Sequence, residues 1–378
     1  MKNMIGAYGP WVESLLPKVP GPLSLQHCPQ NEFAERRAAA LARVVECMAP
    51  PPAAAMVVPT IDRRYEYDGL EIEELSWAQT AGARTEAFLL KPRGATGPLP
   101  GILALHDHGG FKFFGKEKIT RVSDNVHPMV AQHQADYYSG LAWANELARR
   151  GNVVLVHDAF AFGSRRVRVA DLSDKLPGLV PDDADDSVEG ITAYNTWAGQ
   201  HEHVMAKSLF SAGTTWPGVF FNEDRVAIDV LFARDDVDPE RIGVGGLSGG
   251  GLRTVFLAGL DDRVKCAVCV GMMTTWRDFL LHKSFTHTWM CFVPHLPREL
   301  DFSEIIGLRA PQPTMVMNTH EDGLFTHSEM ECAEQNLQRV FKSAGAPEKF
   351  NCSWYPGGHK FDREMQGDAF DWFARWLA

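Results

Sequence analysis

Short, nearly uninterrupted apolar runs, separated by stretches whose apolar residues recur every three or four positions, organise the chain from about residue 65 to its end. The runs fall at 85–91, 101–106, 152–157, 241–247, 264–270, 313–319 and 349–355, and several are rich in Val, Ile, Leu or Met. A strand that is apolar at successive positions is covered on both faces, as in a parallel sheet clothed by helices. Helical patterns lie between them at 138–150, 223–234, 250–260, 327–344 and 362–377. This alternation predicts an α/β fold: a mostly parallel central sheet flanked by helices.

Three regions stand outside the alternation. Residues 31–48 have helical composition, and Pro50-Pro51-Pro52 stops any helix there. We therefore expect residues 1–60 to form an N-terminal helical extension on a main domain of residues 61–378. Residues 170–222 are acidic first (Asp182, Asp183, Asp185, Asp186) and then aromatic, while 272–308 carry Trp276, Phe279, Phe285, Trp289, Phe292 and several histidines. Long excursions from the carboxyl edge of such a sheet commonly shape a substrate pocket. We expect both to be pocket-forming insertions, the alternative being surface decoration that buries its own aromatics.

Composition narrows the function. Apolar residues make up 45% and charged residues 22% of the 378 positions, ordinary for a globular protein, and the formal net charge is -11. An acidic surface repels phosphate backbones and anionic bilayers, so neither nucleic acid nor membrane is an expected partner. No run approaches the roughly 18 apolar residues that span a bilayer. Lys2 is followed by no continuous apolar segment, since Pro10, Pro17, Pro20 and Pro22 interrupt it. The expectation is a cytoplasmic protein. The 7 cysteines are scattered and odd in number, unlike a secreted disulfide framework. Cys266 and Cys269 form a C-x-x-C, but in a strand their side chains point to opposite faces, so they read as packed thiols.

Gly246-Leu247-Ser248-Gly249-Gly250 matches G-x-S-x-G between an apolar run and a helical pattern. A serine on that strand-to-helix turn is exposed, strained and aimed at by the helix's positive end, which makes Ser248 the candidate nucleophile. Attack on a carbonyl creates an oxyanion needing backbone donors. Gly249 supplies one, and the second is expected among Gly109, Gly110 and Phe111, after the run 101–106. His106-Asp107-His108 also admits a metal reading, but His201 and His203 do not complete a ligand pattern, so no metal or cofactor is expected. With the order nucleophile, acid, base along the chain, His359 is the base, on the glycine loop after the last run. Asp322 is the acid, with Glu321 its rival and Asp158 an outside candidate.

With these residues in place, the chain resembles the dienelactone-hydrolase-like and acetyl-xylan-esterase-like branch of the α/β-hydrolase superfamily over roughly residues 60 to 378. The motifs are Leu105-His106-Asp107-His108-Gly109-Gly110, Val237-Asp238-Pro239-Glu240-Arg241-Ile242-Gly243, Gly246-Leu247-Ser248-Gly249-Gly250, Glu321-Asp322-Gly323-Leu324-Phe325 and Pro356-Gly357-Gly358-His359-Lys360-Phe361. The stretch Asp301-Phe302-Ser303 through Ala310-Pro311-Gln312-Pro313 is similar too. The resemblance implies the α/β-hydrolase fold and a triad of Ser248, Asp322 and His359. Dienelactone hydrolases carry a cysteine as nucleophile; this chain has serine. His108, Phe111, Trp276, His282 and His287 are candidate pocket residues.

The expected activity is serine-dependent hydrolysis of a carboxylic ester through an acyl-enzyme. The expected partner is a small-molecule ester, a small acylated metabolite or an acetylated sugar. A peptidase or amidase, and a lyase or carbon–carbon hydrolase on the same fold, are the alternatives, because a fold does not dictate its reaction. Nothing in the sequence sets an oligomeric state.

Overall fold

The computed structural model describes residues 2–18, 20–52, 57–79, 82–176 and 181–378. Its centre is a 9-stranded sheet built from β1 (Thr60–Tyr67), β2 (Leu70–Trp77), β3 (Thr85–Pro92), β4 (Leu99–Leu105), β5 (Val153–His157), β6 (Val237–Leu247), β7 (Cys266–Val270), β8 (Thr314–Thr319) and β9 (Phe350–Tyr355). The spatial order is β1-β2-β3-β5-β4-β6-β7-β8-β9. Strands β4 to β9 run parallel, whereas β1, β2 and β3 are antiparallel to their neighbours. The expected parallel sheet is therefore present, with every apolar run as a strand.

Alternate residues of each central strand feed two separate cores. Leu103, Leu105, Val153 and Leu155 enter one, and Ile102, Ala104, Val154 and Val156 the other. Cys269 belongs to the first core and Cys266 to the second, as their spacing requires. Burial raises both thiols, Cys266 to about 12, so both stay protonated and inert.

The structure departs from the sequence expectations in four places. Strands β1 and β2 were not foreseen, because Asp62, Arg63, Arg64, Glu66, Glu71, Glu73 and Glu74 break their apolar pattern. β1 is the exposed edge strand, and β2 beside it is mostly buried, with Glu73 paired to Arg64 and Arg234. The helix expected at 138–150 is two helices, Pro128–Tyr138 and Trp143–Arg149, split where Ser139 and Gly140 take φ of 56° and 73°. The excursion 170–222 contains a long helix, Val188–Ser211, whose first turn is capped by Ser187 Oγ accepting from the Gly190 N–H at 3.0 Å. The next helix, Trp216–Phe232, starts earlier than expected because Thr215 caps it and Pro217 occupies its first turn.

The N-terminal helix Phe33–Met48 presents Phe33, Ala40, Val44 and Met48 to the first core. It ends at Ala49 in a left-handed conformation, just before the prolines. Its last carbonyls are bound by Thr214 Oγ1 (to Ala49 O) and Thr215 Oγ1 (to Met48 O), both at 2.7 Å. Upstream, Glu304 accepts from Ser24 Oγ at 2.6 Å and from Leu25 N–H at 2.9 Å. Among the described residues no helix is long and apolar enough to cross a membrane.

One buried polar cluster ties the layers beside the sheet's carboxyl edge. Arg253, on helix Gly249–Leu260, bonds Asp224 on helix Trp216–Phe232 (Nη2 to Oδ1 2.5 Å), and its Nη2 donates to His157 Nε2 at 2.9 Å at the end of β5. Breaking such a pair leaves a buried charge without compensation, so Asp224→Ala is expected to destabilise folding by about 3–5 kcal/mol. Denaturant unfolding measures this; a change under about 1 kcal/mol would show that the cluster does not tie the layers together.

Candidate active site

Ser248 stands between β6 and helix Gly249–Leu260 with φ 57° and ψ −115°. A non-glycine residue at positive φ is strained and must be held by its surroundings. Its N–H donates to Val270 O at 2.9 Å, and its carbonyl accepts from Leu252 N–H at 2.8 Å. The flanking glycines are required by space: a Cβ on Gly246 or Gly250 would lie 2.3 or 2.1 Å from Leu105 O. The end of β4 thus crosses directly over the turn, and its continuation, residues 106–110, lies against the start of the helix.

That continuation is held from behind. Lys118 is fully buried, and its Nζ donates to Asp107 O at 2.7 Å and His108 O at 3.1 Å. Burial lowers the Lys118 ammonium to about 8, against the raising effect of Asp107. In a trans peptide the N–H points opposite to its carbonyl, so the His108 and Gly109 amides are turned away from Lys118. The His108 nitrogen is the backbone atom nearest Gly249, 2.7 Å from where a Cβ on Gly249 would sit. The Gly110 and Phe111 amides are engaged elsewhere, Gly110 N–H with His108 Nδ1 at 2.9 Å and Phe111 N–H with His108 O at 3.0 Å. Of the three residues expected to hold the second donor, only Gly109 keeps an unengaged N–H, and the His108 N–H is unengaged beside it.

His359 and Asp322 come together from the loops after β9 and β8. His359 Nδ1 donates to Asp322 Oδ2 at 2.7 Å, and Asp322 Oδ1 accepts from Leu324 N–H at 3.0 Å. The Asp322 carboxylate is fully buried, and His359 Nε2 is buried without a protein partner. The imidazole lies over Gly271, where a Cβ would be 2.9 Å from His359 Cε1. Gly271 directly follows Val270, whose carbonyl receives the Ser248 N–H. Glu321, the rival acid, instead accepts from the Gly357 N–H. Asp158 is committed to Lys116 at 2.9 Å and to Ser164 N–H at 2.9 Å.

Ser248 and His359 line one cavity of about 280 Å³, together with His108, Gly109, Gly110 and Gly249. The wall opposite comes from the second excursion, through Thr286, His287, Thr288, Met290 and Cys291. Of the candidate pocket residues, His108 and His287 line this cavity. Phe111, Trp276 and His282 do not. Phe111 packs on Phe114 and His133, and Trp276 is buried between Phe279 and Phe302 with its Nε1–H on Leu300 O at 3.1 Å. Aromatic side chains in an excursion first satisfy its own small core. His282 sits in the turn Phe279–Lys283, half-buried and off the cavity.

Comparison with known proteins agrees with this architecture. The model of the prolyl oligopeptidase family matches residues 214–378. YtaP of Bacillus subtilis (strain 168), which bears a hydrolase name, is 27% identical over 297 residues, 78% of this chain and 84% of that protein. A Bacteroides fragilis NCTC 9343 protein named as an acetyl xylan esterase superposes with a TM-score of 0.71 at 16% identity, over 93% of this chain and 82% of that one. The chain is a serine hydrolase of the α/β-hydrolase fold. A glucuronoyl esterase from Solibacter usitatus shares the fold of this hydrolase with a TM-score of 0.63 at 12% identity, over 97% of this chain and 100% of that one.

Behind His108, which lines the cavity, lies a buried carboxylate that the sequence pattern concealed. Glu202 lies on helix Val188–Ser211 in the buried stripe Ile191, Tyr194, Ala198, Glu202, Ala206, and its Oε1 is 2.7 Å from His108 Nε2 and 2.8 Å from Lys112 Nζ. A carboxylate in an otherwise apolar helical stripe is the signal that could have found it.

His287 gives this site a pH signature in stability. It is wedged against Phe279 and Phe325, its Nε2 bonds Leu324 O at 3.1 Å, and burial lowers its pKa to about 4. An unfolded histidine titrates near 6.5, so between those values the unfolded chain binds more protons and stability falls as pH drops. From pH 7 to pH 5 the wild type should lose about 1–2 kcal/mol more than His287→Gln, measured by denaturant unfolding. Equal losses would show that His287 titrates alike in both states.

Proposed function

We propose that this serine hydrolase cleaves a small, uncharged carboxylic ester by way of an acyl-enzyme, with Ser248 as nucleophile, His359 as general base and acid, and Asp322 as the group that orients and stabilises the imidazolium. One observation carries the reading: the 2.7 Å bond from His359 Nδ1 to Asp322 leaves Nε2 buried and unpaired on a residue that lines the same cavity as Ser248. Ser248 Oγ attacks the carbonyl carbon while Nε2 takes its proton. The oxyanion is met by the Gly249 N–H, an amide of the helix's first turn with no intrahelical acceptor, and by the His108 N–H. His359 then passes its proton to the departing alcohol, and water repeats the sequence to release the acid.

The cavity supports the substrate size and charge. At about 280 Å³ it lies at the lower end of small-molecule sites, and its described lining includes no Lys or Arg. A short acyl group on a metabolite or an acetylated sugar fits those limits, and one protein of similar fold bears the name acetyl xylan esterase. A cytoplasmic location is in keeping with 7 free thiols. The family match to prolyl oligopeptidases is the observation that favours amide cleavage as the second reading. A cavity of about 280 Å³ argues for the smaller ester.

Ser248→Ala and His359→Ala should each lower turnover of p-nitrophenyl acetate by on the order of 10⁶ and Asp322→Ala by roughly 10⁴, with circular dichroism unchanged. A fluorophosphonate should label the wild type and not the serine variant. Activity of either of the first two variants within about tenfold of wild type would exclude the assignment. In a chain-length series, kcat/KM for acetyl and butyryl esters should exceed that for decanoyl by at least about tenfold. Faster cleavage of aminoacyl p-nitroanilides than of any ester would transfer the case to the peptidase reading.

A further inference from the structure

The segment that carries the His108 amide has two anchors: Lys118 on its carbonyls, and the His108 side chain itself. The ring's Nδ1 accepts the Gly110 N–H at 2.9 Å, so Nδ1 carries no proton. The ring's single proton then sits on Nε2 and is donated to Glu202 Oε1 at 2.7 Å. Glu202 is buried, and a lone carboxylate against an imidazole would draw a second proton onto the ring. Lys112 Nζ, 2.8 Å from the same oxygen and packed over the Phe162 ring, balances that charge. The surroundings agree: burial lowers the His108 pKa, and although burial alone would raise Glu202, His108 and Lys112 hold it to about 2. The carboxylate therefore stays ionised beside a neutral ring.

We infer that Glu202, from the helix of the first excursion, is a positioning residue for the hydrolysis proposed above: it holds His108 in the Nε2–H form, Nδ1 then grips the Gly110 N–H, and the loop keeps the His108 amide turned toward Ser248. The inference rests on the oxyanion role given to that amide. Its contribution belongs to the transition state, because the ground-state carbonyl needs the donor far less than the oxyanion does.

The test is a double-mutant cycle with p-nitrophenyl acetate. Glu202→Ala should lower kcat by about 10–100-fold and leave KM within about threefold, a fraction of the roughly 10²–10³ typical for losing an oxyanion donor outright. Glu202→Gln, whose amide oxygen can still accept from Nε2–H, should keep at least about a third of kcat. In a His108→Asn background, where the side-chain oxygen can take the Gly110 N–H and nothing reaches position 202, adding Glu202→Ala should change kcat less than about threefold. An equal loss in both backgrounds, or a rise in KM with kcat intact, overturns the inference. If Glu202→Ala does not fold, nitrogen NMR of the histidine-labelled wild type decides. His108 in the Nε2–H form across the active pH range supports the inference, and a proton on Nδ1 overturns it. A Ser248→Ala control separates the two failures: should it keep wild-type activity, the hydrolytic reading itself falls, whereas an inactive Ser248→Ala with an additive cycle removes only Glu202.

Discussion

The strained backbone of Ser248, at φ 57° and ψ −115°, is tolerable because the chain around it leaves no room for an alternative. Leu105 O lies so close to Gly246 and Gly250 that neither position accepts a side chain, and Val270 O takes the serine's own N–H. Three adjacent parallel strands, β4, β6 and β7, therefore converge on one turn. Their register, with Leu105 opposite Gly246 and Leu247 opposite Val270, is set by the sheet and not by the turn. Strain of this kind costs on the order of 1–3 kcal/mol and persists only where surrounding structure overdetermines it. The long apolar strands supply that overdetermination, linking hydrophobic pattern to chemistry.

The same crossing explains why the loop after β4 is so heavily charged inside. Between positions 112 and 118 three lysines are buried, and each finds a different acceptor. Lys112 meets Glu202 at 2.8 Å, Lys116 meets Asp158 at 2.9 Å, and Lys118 meets the backbone carbonyls of Asp107 and His108. Buried ion pairs are weak sources of net stability. They are effective at holding backbone dipoles in one orientation, and an oxyanion site needs donors that do not reorganise as charge develops.

How much of this was legible follows from which physical signal each part leaves in sequence. The parallel strands announce themselves because burial on both faces demands continuous apolar runs. Strands β1 and β2 leave charged runs instead, because β1 is an exposed edge and β2 buries Glu73 against Arg64 and Arg234. The tight turn at Ser248 was legible because glycine on both sides of a serine at a strand end has a steric reason, and the placement of His359 at the same cavity because topology leaves one histidine after the last strand. The pocket was not. Trp276 and Phe111 look like pocket aromatics, yet an excursion must bury its own apolar side chains before it can shape anything, and both serve that need. Thr286, Thr288 and Met290, which do line the cavity, have no distinguishing pattern. Glu202 was hidden for the opposite reason, since helical periodicity treats a carboxylate in an apolar stripe as an interruption.

Glu321 and Asp322 show how adjacent identical chemistry divides by direction. At the turn after β8 successive side chains leave on different sides, and each finds a different part of the loop 356–359. Glu321 accepts the Gly357 N–H, and its own N–H donates to Gly357 O at 3.1 Å, so the two backbones are clamped together. Asp322, released from that task, is free to bond the imidazole two residues further on. The clamp matters to the ring because a glycine loop alone would let His359 swing; with Gly357 held and the ring seated over Gly271, rotation of Nε2 out of the cavity would break the bond at Nδ1. Exchanging the two carboxylates would keep the composition and lose both functions, which is why position and not residue type decides between them.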